Sequence, residues 1–456
     1  MKGTAVMDLV IRNGGLITGD GKTFHKRAAV YVQKGRIIGV DVAAGAEIAA
    51  AARETIDATG GIVMPGLINA HAHGCIRGPS MPSGSKPFAG EDVAYFRNRH
   101  LLQGTTTLLN VCGLAMADEI DVDDAEPHAM DIRVSTAHTP KNIEAALVVD
   151  GKGLSARHLT ATTDELLACG AVALGEAGGG QTLGGGAQEY RFIPQAFLHE
   201  FGVEVTPAAA RRLKNAVIGR YLDPADGLSN LKLTDELECC GLSGLADADR
   251  VRDIITRSVM PSVALSLAGF DEIAREAKRS GFPAIFHNAA PSAKRLIAAV
   301  EKHPKAHLVA GHSNHPSFHP EEAVSIAQNL RGKGAIIDVS TLDCIGTRWR
   351  NDPSNLDALI DAGCVDTIST DFAGGHWDGI LEAIQRMVRK KQLSAAEAVA
   401  LASGNVARVF TQMAGDRGLI EKGKRADLIV VDHVNLSRVR HVVIAGRIVV
   451  RNGRLI

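Results

Sequence analysis

Residues 62–74 contain Ile-Val-Met-Pro-Gly-Leu-Ile-Asn-Ala-His-Ala-His-Gly, and the character of the sequence changes at this stretch. Before it, short alternating runs such as residues 9–11 and 30–32, separated by glycine-containing turns, predict β-hairpins. After it, apolar strand-like runs alternate with helical segments that carry start and stop signals, which indicates βα units. Hairpin-like runs return after Met413.

A βα middle between two β-rich ends predicts an α/β fold, with a parallel (β/α)8 TIM-like barrel and a small composite β-sandwich domain built from both termini. The expected boundaries are 1–64 and 413–456 for the two parts of the β domain and 65–412 for the barrel. Two separate β domains are the alternative.

The composition is that of an ordinary soluble globular protein. The chain has 456 residues, 45% hydrophobic and 22% charged, and its 50 basic and 51 acidic side chains give a net charge of −1. This balance argues against nucleic-acid and membrane partners and favours a small-molecule substrate. With no signal-like or membrane-spanning apolar run, a cytoplasmic location is expected, and the odd number of seven cysteines indicates reduced thiols.

Metal-ligating side chains follow several predicted strands. Two of them, His71 and His73, are two residues apart in one strand and therefore point to the same side. In a parallel barrel the carboxyl ends of the strands meet at one mouth, so ligands distant in sequence can converge there. The other strand-end candidates are Glu176, His287, His312 and Asp371. Together these side chains suit two divalent ions.

The segment 62–74, the order of these strand ends and the tail at 418–432, GLIEKGKRADLIVVD, resemble the amidohydrolase superfamily. The resemblance implies that His71, His73 and Asp371 bind one metal ion, that His287 and His312 bind a second, and that Glu176 bridges them. Zinc is the expected metal, with iron or manganese as alternatives, and the family habit implies a homo-oligomer.

No lysine stands at the strand end before His287, which disfavours the carboxylated-lysine branch that contains dihydroorotase and hydantoinase. Residues 174–178, 286–290, 311–314 and 369–374 most resemble enamidase, which opens a cyclic enamide; adenine deaminase is a more distant relative with a glutamate bridge. Glu176 and His287 are 111 residues apart (287 − 176), which implies an insertion at about 180–265 that is either a lid or an oligomer contact.

The resemblance also implies a mechanism, in which a metal-bridged hydroxide attacks and Asp371 acts as general base and then general acid. The first hypothesis is therefore a metal-dependent hydrolase that opens a cyclic amide or enamide. The alternatives are an aminohydrolase of an aminated heterocycle, an N-acyl amino acid amidohydrolase and a catalytically silent assembly protein.

Further polar residues near the strand ends are candidates for substrate contacts, although a solvated charge or a loop-holding role is the competing interpretation of each. Cys75 and Cys112 are interpreted as buried small side chains, because a metal hydroxide makes a thiol nucleophile unnecessary. The substrate-contact candidates are Arg77, His138, Asn288 and His315, with Asn314 and His376 as further possibilities.

Overall fold

The computed structural model describes residues 7–42, 52–122, 124–179, 182–183, 186–342, 352–372 and 379–456. Its strands fall into three consecutive groups along the chain. The first group is β1 (Met7–Ile17), β2 (Phe24–Gln33), β3 (Arg36–Asp41), β4 (Ala52–Asp57) and β5 (Gly61–Pro65). The second is β6 (Leu67–Ala72), β7 (Thr105–Asn110), β8 (Asp131–Thr136), β9 (Ala173–Ala177), β10 (Ala284–His287), β11 (Leu308–Gly311), β12 (Ile336–Ser340) and β13 (Thr367–Ser369). The third is β14 (Leu428–Asp432), β15 (Val439–Ile444), β16 (Arg447–Arg451) and β17 (Arg454–Leu455).

The first and third groups form one sheet, in the order β17-β16-β15-β14-β5-β1-β2-β3, with β4 beside β1. Strand β5 joins the two ends of the chain, because it pairs parallel with β1 and antiparallel with β14, where Val63 lies opposite Val430. Apolar side chains from both groups share one buried cluster. The predicted composite β domain is thereby confirmed, and the alternative of two separate β domains is wrong.

The second group forms the barrel. Within the described residues, β6 to β13 lie side by side in chain order as an eight-stranded sheet whose neighbours all pair parallel. Backbone hydrogen bonds from Asp371 N to His71 O (2.9 Å) and from His73 N to Phe372 O (2.6 Å) join its two edges. The predicted (β/α)8 barrel is confirmed.

Helices cover the barrel and follow the start and stop signals of the sequence. Thr162 caps a helix as its side chain accepts a hydrogen bond from Glu165 N, while the Glu165 carboxylate accepts one from Thr162 N. The helices are α1 (Gly90–Leu102), α2 (Pro140–Val149), α3 (Ala156–Thr160), α4 (Thr163–Ala168), α5 (Ile193–Phe201), α6 (Pro207–Ile218), α7 (Asn230–Cys239), α8 (Ala248–Ser280), α9 (Ala290–Lys302), α10 (Pro320–Gly332), α11 (Ser354–Asp361), α12 (Ile380–Arg389), α13 (Ala395–Ala400), α14 (Gly404–Val409) and α15 (Thr411–Ala414). Among the described helices, none combines the length and the apolar character needed to cross a membrane.

The long interval between β9 and β10 contains α5, α6, α7 and α8. Side chains of all four helices, including Phe197, Leu213, Leu237 and Ile255, belong to the same buried cluster as the barrel strands. The proposed insertion at 180–265 therefore packs onto the barrel, and it ends inside α8, a single 33-residue helix that continues through Pro261.

Asn69 links the first barrel strand to the residue that follows the last one. Its side chain is fully buried, donates to Thr370 Oγ1 (2.8 Å) and accepts from Thr370 N (3.2 Å) and His71 N (3.3 Å). We expect Asn69→Ala to lower the free energy of unfolding by about 2 kcal/mol, because it leaves buried polar groups without partners. Urea unfolding measures this loss. The exposed Asn329 on α10 is the control: Asn329→Ala should not lower the free energy of unfolding, and an equal loss in the two variants would contradict the role of Asn69.

Candidate metal centre

The structure brings the six proposed metal ligands together at the carboxyl ends of the barrel strands. Five of them are buried, and Asp371 keeps 21% of its side chain exposed. They lie on β6 or directly after it, on β9, at the end of β10, directly after β11 and two residues after β13: His71, His73, Glu176, His287, His312 and Asp371. Residues up to 300 positions apart (371 − 71) thus form one cluster, as the convergence of parallel barrel strands predicts.

Glu176 lies at the middle of the cluster, and its two oxygens face different histidines. Oε1 is 3.2 Å from His287 Nδ1 and 3.1 Å from His312 Nε2. Oε2 is 3.7 Å from His71 Nε2 and 3.6 Å from His73 Nε2. A carboxylate in this position can offer one oxygen to each of two ions.

Asp371 lies on the side of the first histidine pair. Its Oδ1 is 3.3 Å from His71 Nε2 and 3.4 Å from His73 Nε2. Being partly exposed, this carboxylate also borders the open end of the barrel. It can therefore contact both a metal ion and a substrate.

The donor set fits divalent metal ions. Ligands about 2.0–2.1 Å from a tetrahedral ion lie about 3.3 Å from one another, close to the separations around Glu176 and Asp371. The ligand atoms of His71, His73 and Asp371 lie within 4.8 Å of one another, as do those of His71, Glu176 and His312. Among the described residues, both ring nitrogens of His71 are buried without a hydrogen-bond partner. A buried imidazole without a partner is costly, and a metal ion would satisfy it.

Electrostatics keep both carboxylates ionised. Burial alone would raise the pKa of Glu176, but the hydrogen bonds of His287 and His312 and the nearby His71 ring hold that pKa well below its usual value. Burial likewise opposes ionisation of Asp371, and the charges of His71 and His312 outweigh it, so the pKa of Asp371 is lowered. Two ionised carboxylates in a buried cluster favour a cation between them.

Local backbone geometry positions two of the ligands. His312 and Asp371 adopt φ angles of +36° and +52°, which non-glycine residues rarely do and which often occur at functional sites. Gly311 brings β11 against the first histidine, since a Cβ at this position would lie 3.0 Å from His71 Cε1. The glycine therefore leaves room for the His71 ring.

Two buried side chains that the sequence analysis left without a functional role lie beside the ligands. Cys112 Sγ is 3.6 Å from His73 Nδ1; burial opposes ionisation of the thiol, but the contact with His73 lowers its pKa. Asp338 accepts hydrogen bonds from Thr367 Oγ1 (2.7 Å) and Ser369 Oγ (2.6 Å), and burial raises its pKa. The available signals were the position of Cys112 two residues after β7 and the occurrence of a carboxylate, Asp338, within the otherwise apolar run of β12.

Of the predicted substrate contacts, Arg77 and His138 lie on loops beyond β6 and β8. Arg77 forms an ion pair with Asp124, which also binds Arg97. His138 Nδ1 is 3.0 Å from Thr136 Oγ1, its Nε2 is buried without a partner among the described residues, and burial lowers its pKa to about 4. Their roles toward a substrate remain predictions.

Three further candidates follow β10 and β11. Asn288 Nδ2 donates to Ser313 Oγ (3.0 Å), and Asn314 exchanges two hydrogen bonds with the backbone of Ser340 (2.8 and 2.9 Å). His315 lies beside the metal centre, with its ring centroid 5.3 Å from that of His287 and 5.6 Å from that of His312. Their substrate contacts also stay predictions, and His376 lies outside the described residues.

A small cavity borders Glu176. Its lining includes Cys112, Ala137, Asn142 and Thr182, and its volume is about 30 Å³. Such a volume holds only a water molecule or two.

Comparisons with known proteins agree with this arrangement. A model of the amidohydrolase family matches residues 246–449, which include His287, His312 and Asp371. No curated protein sequence matches the chain.

Solved structures with a similar fold include a β-aspartyl dipeptidase from Fervidobacterium islandicum AW-1, in complex with a β-Asp-Leu dipeptide. It is 16% identical with a TM-score of 0.55, and the match covers 100% of this chain and 99% of the dipeptidase. An N-acyl-D-glutamate deacylase from Bordetella bronchiseptica, complexed with zinc and a phosphonate inhibitor, is 16% identical with a TM-score of 0.54, over 99% and 98% of the two chains. A zinc-bound adenosine deaminase from Xanthomonas campestris is 17% identical with a TM-score of 0.53, over 99% and 94%.

At these identities the solved structures show the fold alone. Residues 246–449, a little under half of the chain, are similar to the amidohydrolase family.

Proposed function

We propose that this enzyme hydrolyses the C–N bond of a cyclic amide or enamide at a centre of two divalent metal ions. His71, His73 and Asp371 would hold one ion and His287 and His312 the other, with Glu176 between them. The observation that carries the proposal is the division of the two Glu176 oxygens between two histidine pairs. Zinc is the proposed metal, with iron or manganese as alternatives.

When bound, divalent ions at such a centre lower the pKa of water and polarise a carbonyl group. Asp371 would accept the proton from the attacking water, because its carboxylate is ionised, and would return the proton to the leaving nitrogen. Its partial exposure lets it reach the reacting atoms from the mouth of the barrel. The burial of the other ligands excludes bulk water from the far side of the site.

Ring opening of a cyclic amide is the favoured reaction, because the residues around Glu176, His287, His312 and Asp371 resemble enamidase. Hydrolysis of an N-acyl amino acid is the second candidate, favoured by the cationic side chains of Arg211 and Lys214 in a cavity beside His315. The complete ligand set argues against a catalytically silent protein. A small-molecule substrate and a homo-oligomer complete the proposal.

Elemental analysis of the purified protein, combined with product analysis on cyclic amides, N-acyl amino acids and aminated heterocycles, tests the proposal. We expect about two metal ions per chain and ring opening of a cyclic amide. Release of ammonia from aminated heterocycles alone would replace this reaction with deamination. About one metal ion per chain would show that Glu176 is not a bridge.

A further inference from the structure

A second, larger cavity lies beside the metal centre, between α6 and the loop at 315–319. Its volume is about 400 Å³, and small-molecule sites occupy about 300–1,000 Å³. His315 forms part of its wall and packs against the rings of His287 and His312. A group bound in this cavity would thus be separated from the proposed metal ligands by the width of one imidazole ring.

The described lining of this cavity is rich in positive charge. It includes the cations Arg211, Lys214 and Arg220 and one carboxylate, Glu189. Arg220 is neutralised by an ion pair with Glu322 outside the lining. The cavity itself therefore contains two cations, those of Arg211 and Lys214, that share a single carboxylate.

That shared carboxylate is held at both oxygens. Glu189 Oε1 is 2.8 Å from Lys214 Nζ, and Oε2 is 2.7 Å from Arg211 Nε. The side chains of Lys214 and Glu189 are only 5% and 4% exposed. Two cations thus share one carboxylate, which leaves a net positive charge at this cavity; the guanidinium of Arg211 lies at its solvent-facing side, and such a charge attracts an anion.

Both cations retain donors. Lys214 Nζ has three protons and gives one to Glu189, while Arg211 uses its Nε and keeps its two terminal NH2 groups. In the part of the chain that the structure describes, neither group has a second hydrogen-bond partner. A guanidinium fork beside an ammonium group suits a carboxylate.

We propose that this cavity is a subsite for a carboxylate group of the substrate, with Arg211 and Lys214 as its two donors. The inference rests on the proposed function, because the carboxylate would belong to the molecule that is hydrolysed at the metal centre. The cavity beside Glu176, with its volume of about 30 Å³, offers no comparable room. The insertion would therefore contribute to substrate recognition through α6.

Calorimetric titration of the zinc-loaded, full-length protein tests this subsite with two pairs of probes. The pairs are 5-oxoproline with 5-oxoprolinamide, and N-acetylalanine with N-acetylalaninamide. In each pair an ionised carboxylate is replaced by a neutral carboxamide of nearly the same size and shape. We expect each carboxylate to bind about 10-fold or more tightly than its amide, because charge-assisted hydrogen bonds are the strong ones.

Variants of the two cations on α6 test whether the difference in affinity between carboxylate and amide arises in this cavity. We expect Arg211→Gln and Lys214→Met each to weaken carboxylate binding about 10-fold or more and to leave amide binding unchanged. Arg212→Gln is the matched control, since Arg212 is the next residue, is half exposed and pairs with Glu236. Arg211 is itself 54% exposed, so its variant should fold even if Lys214→Met does not.

Three results would overturn the subsite: no binding of either carboxylate, equal binding of carboxylate and amide, or carboxylate binding that Arg211→Gln leaves unchanged. The last result would indicate a carboxylate held by the metal ions alone. Product analysis of the titrated samples shows whether any probe is hydrolysed, so a failure of the proposed hydrolysis, seen as no product from any amide, stays distinguishable from a failure of the subsite.

Discussion

Asp371→Asn is expected to lower kcat by about 10³-fold or more while the metal content stays near that of the unchanged protein, because an amide cannot accept the proton of the attacking water. Asparagine has nearly the same shape and tolerates the φ of +52° at this position. His71 and His73 remain to hold the ion. Steady-state kinetics and elemental analysis on the same preparation measure the two quantities.

The control for this substitution is Asp361→Asn, which removes an exposed carboxylate at the end of α11 and should leave turnover unchanged. Near-normal turnover of Asp371→Asn would remove the proton-transfer role. A parallel loss of metal and activity would instead make Asp371 a ligand whose main task is to retain the ion.

Glu176→Gln should reduce the metal content from about two ions to about one per chain and lower kcat by at least about 10²-fold. A glutamine places its one oxygen beside one histidine pair and its NH2 group beside the other. It therefore cannot bind a metal ion on both sides. Elemental analysis and kinetics measure the effect. Glu144→Gln, at an exposed carboxylate on α2, is the control.

Retention of two ions by Glu176→Gln would contradict the bridge. The contacts of the two Glu176 oxygens with the histidine pairs would then stabilise the fold and would not bind metal ions. Loss of both ions would show that the two sites depend on each other for affinity.

The candidate site was largely predictable, because each ligand follows a recognisable strand. His71 lies in β6 and His73 directly after it, and His287 ends β10 after an apolar run. Parallel barrel strands all end at one mouth, so locating the strand ends was enough to bring the side chains together. The boundaries of α10, from Pro320 to Gly332, follow from a proline start and a glycine end in the same way.

Features that depend on contacts between distant segments were not predictable. The contact of Cys112 with His73 depends on how the neighbouring strands β6 and β7 align, and the pairing of Asn69 with Thr370 joins segments that only the closed barrel brings together. The sequence predicts this helix only from Phe270 to Ser280, where apolar residues recur on one face and a glycine follows, yet α8 begins at Ala248, because its packing on α2 and β9 overrides the proline at 261. The charge of the cavity beside His315 likewise depends on how α6 lies over a loop about one hundred residues later.

The pairing of β5 with β14 has a consequence for the order of events during synthesis. The ribosome releases the chain from its amino end, so β1 to β5 emerge long before β14 to β17, their partners in the sheet. The edge of β5 that pairs with β14 therefore stays unpaired while the whole barrel is translated, and unpaired strand edges favour aggregation. Chaperone binding to a nascent chain should therefore last until the final strand has left the exit tunnel.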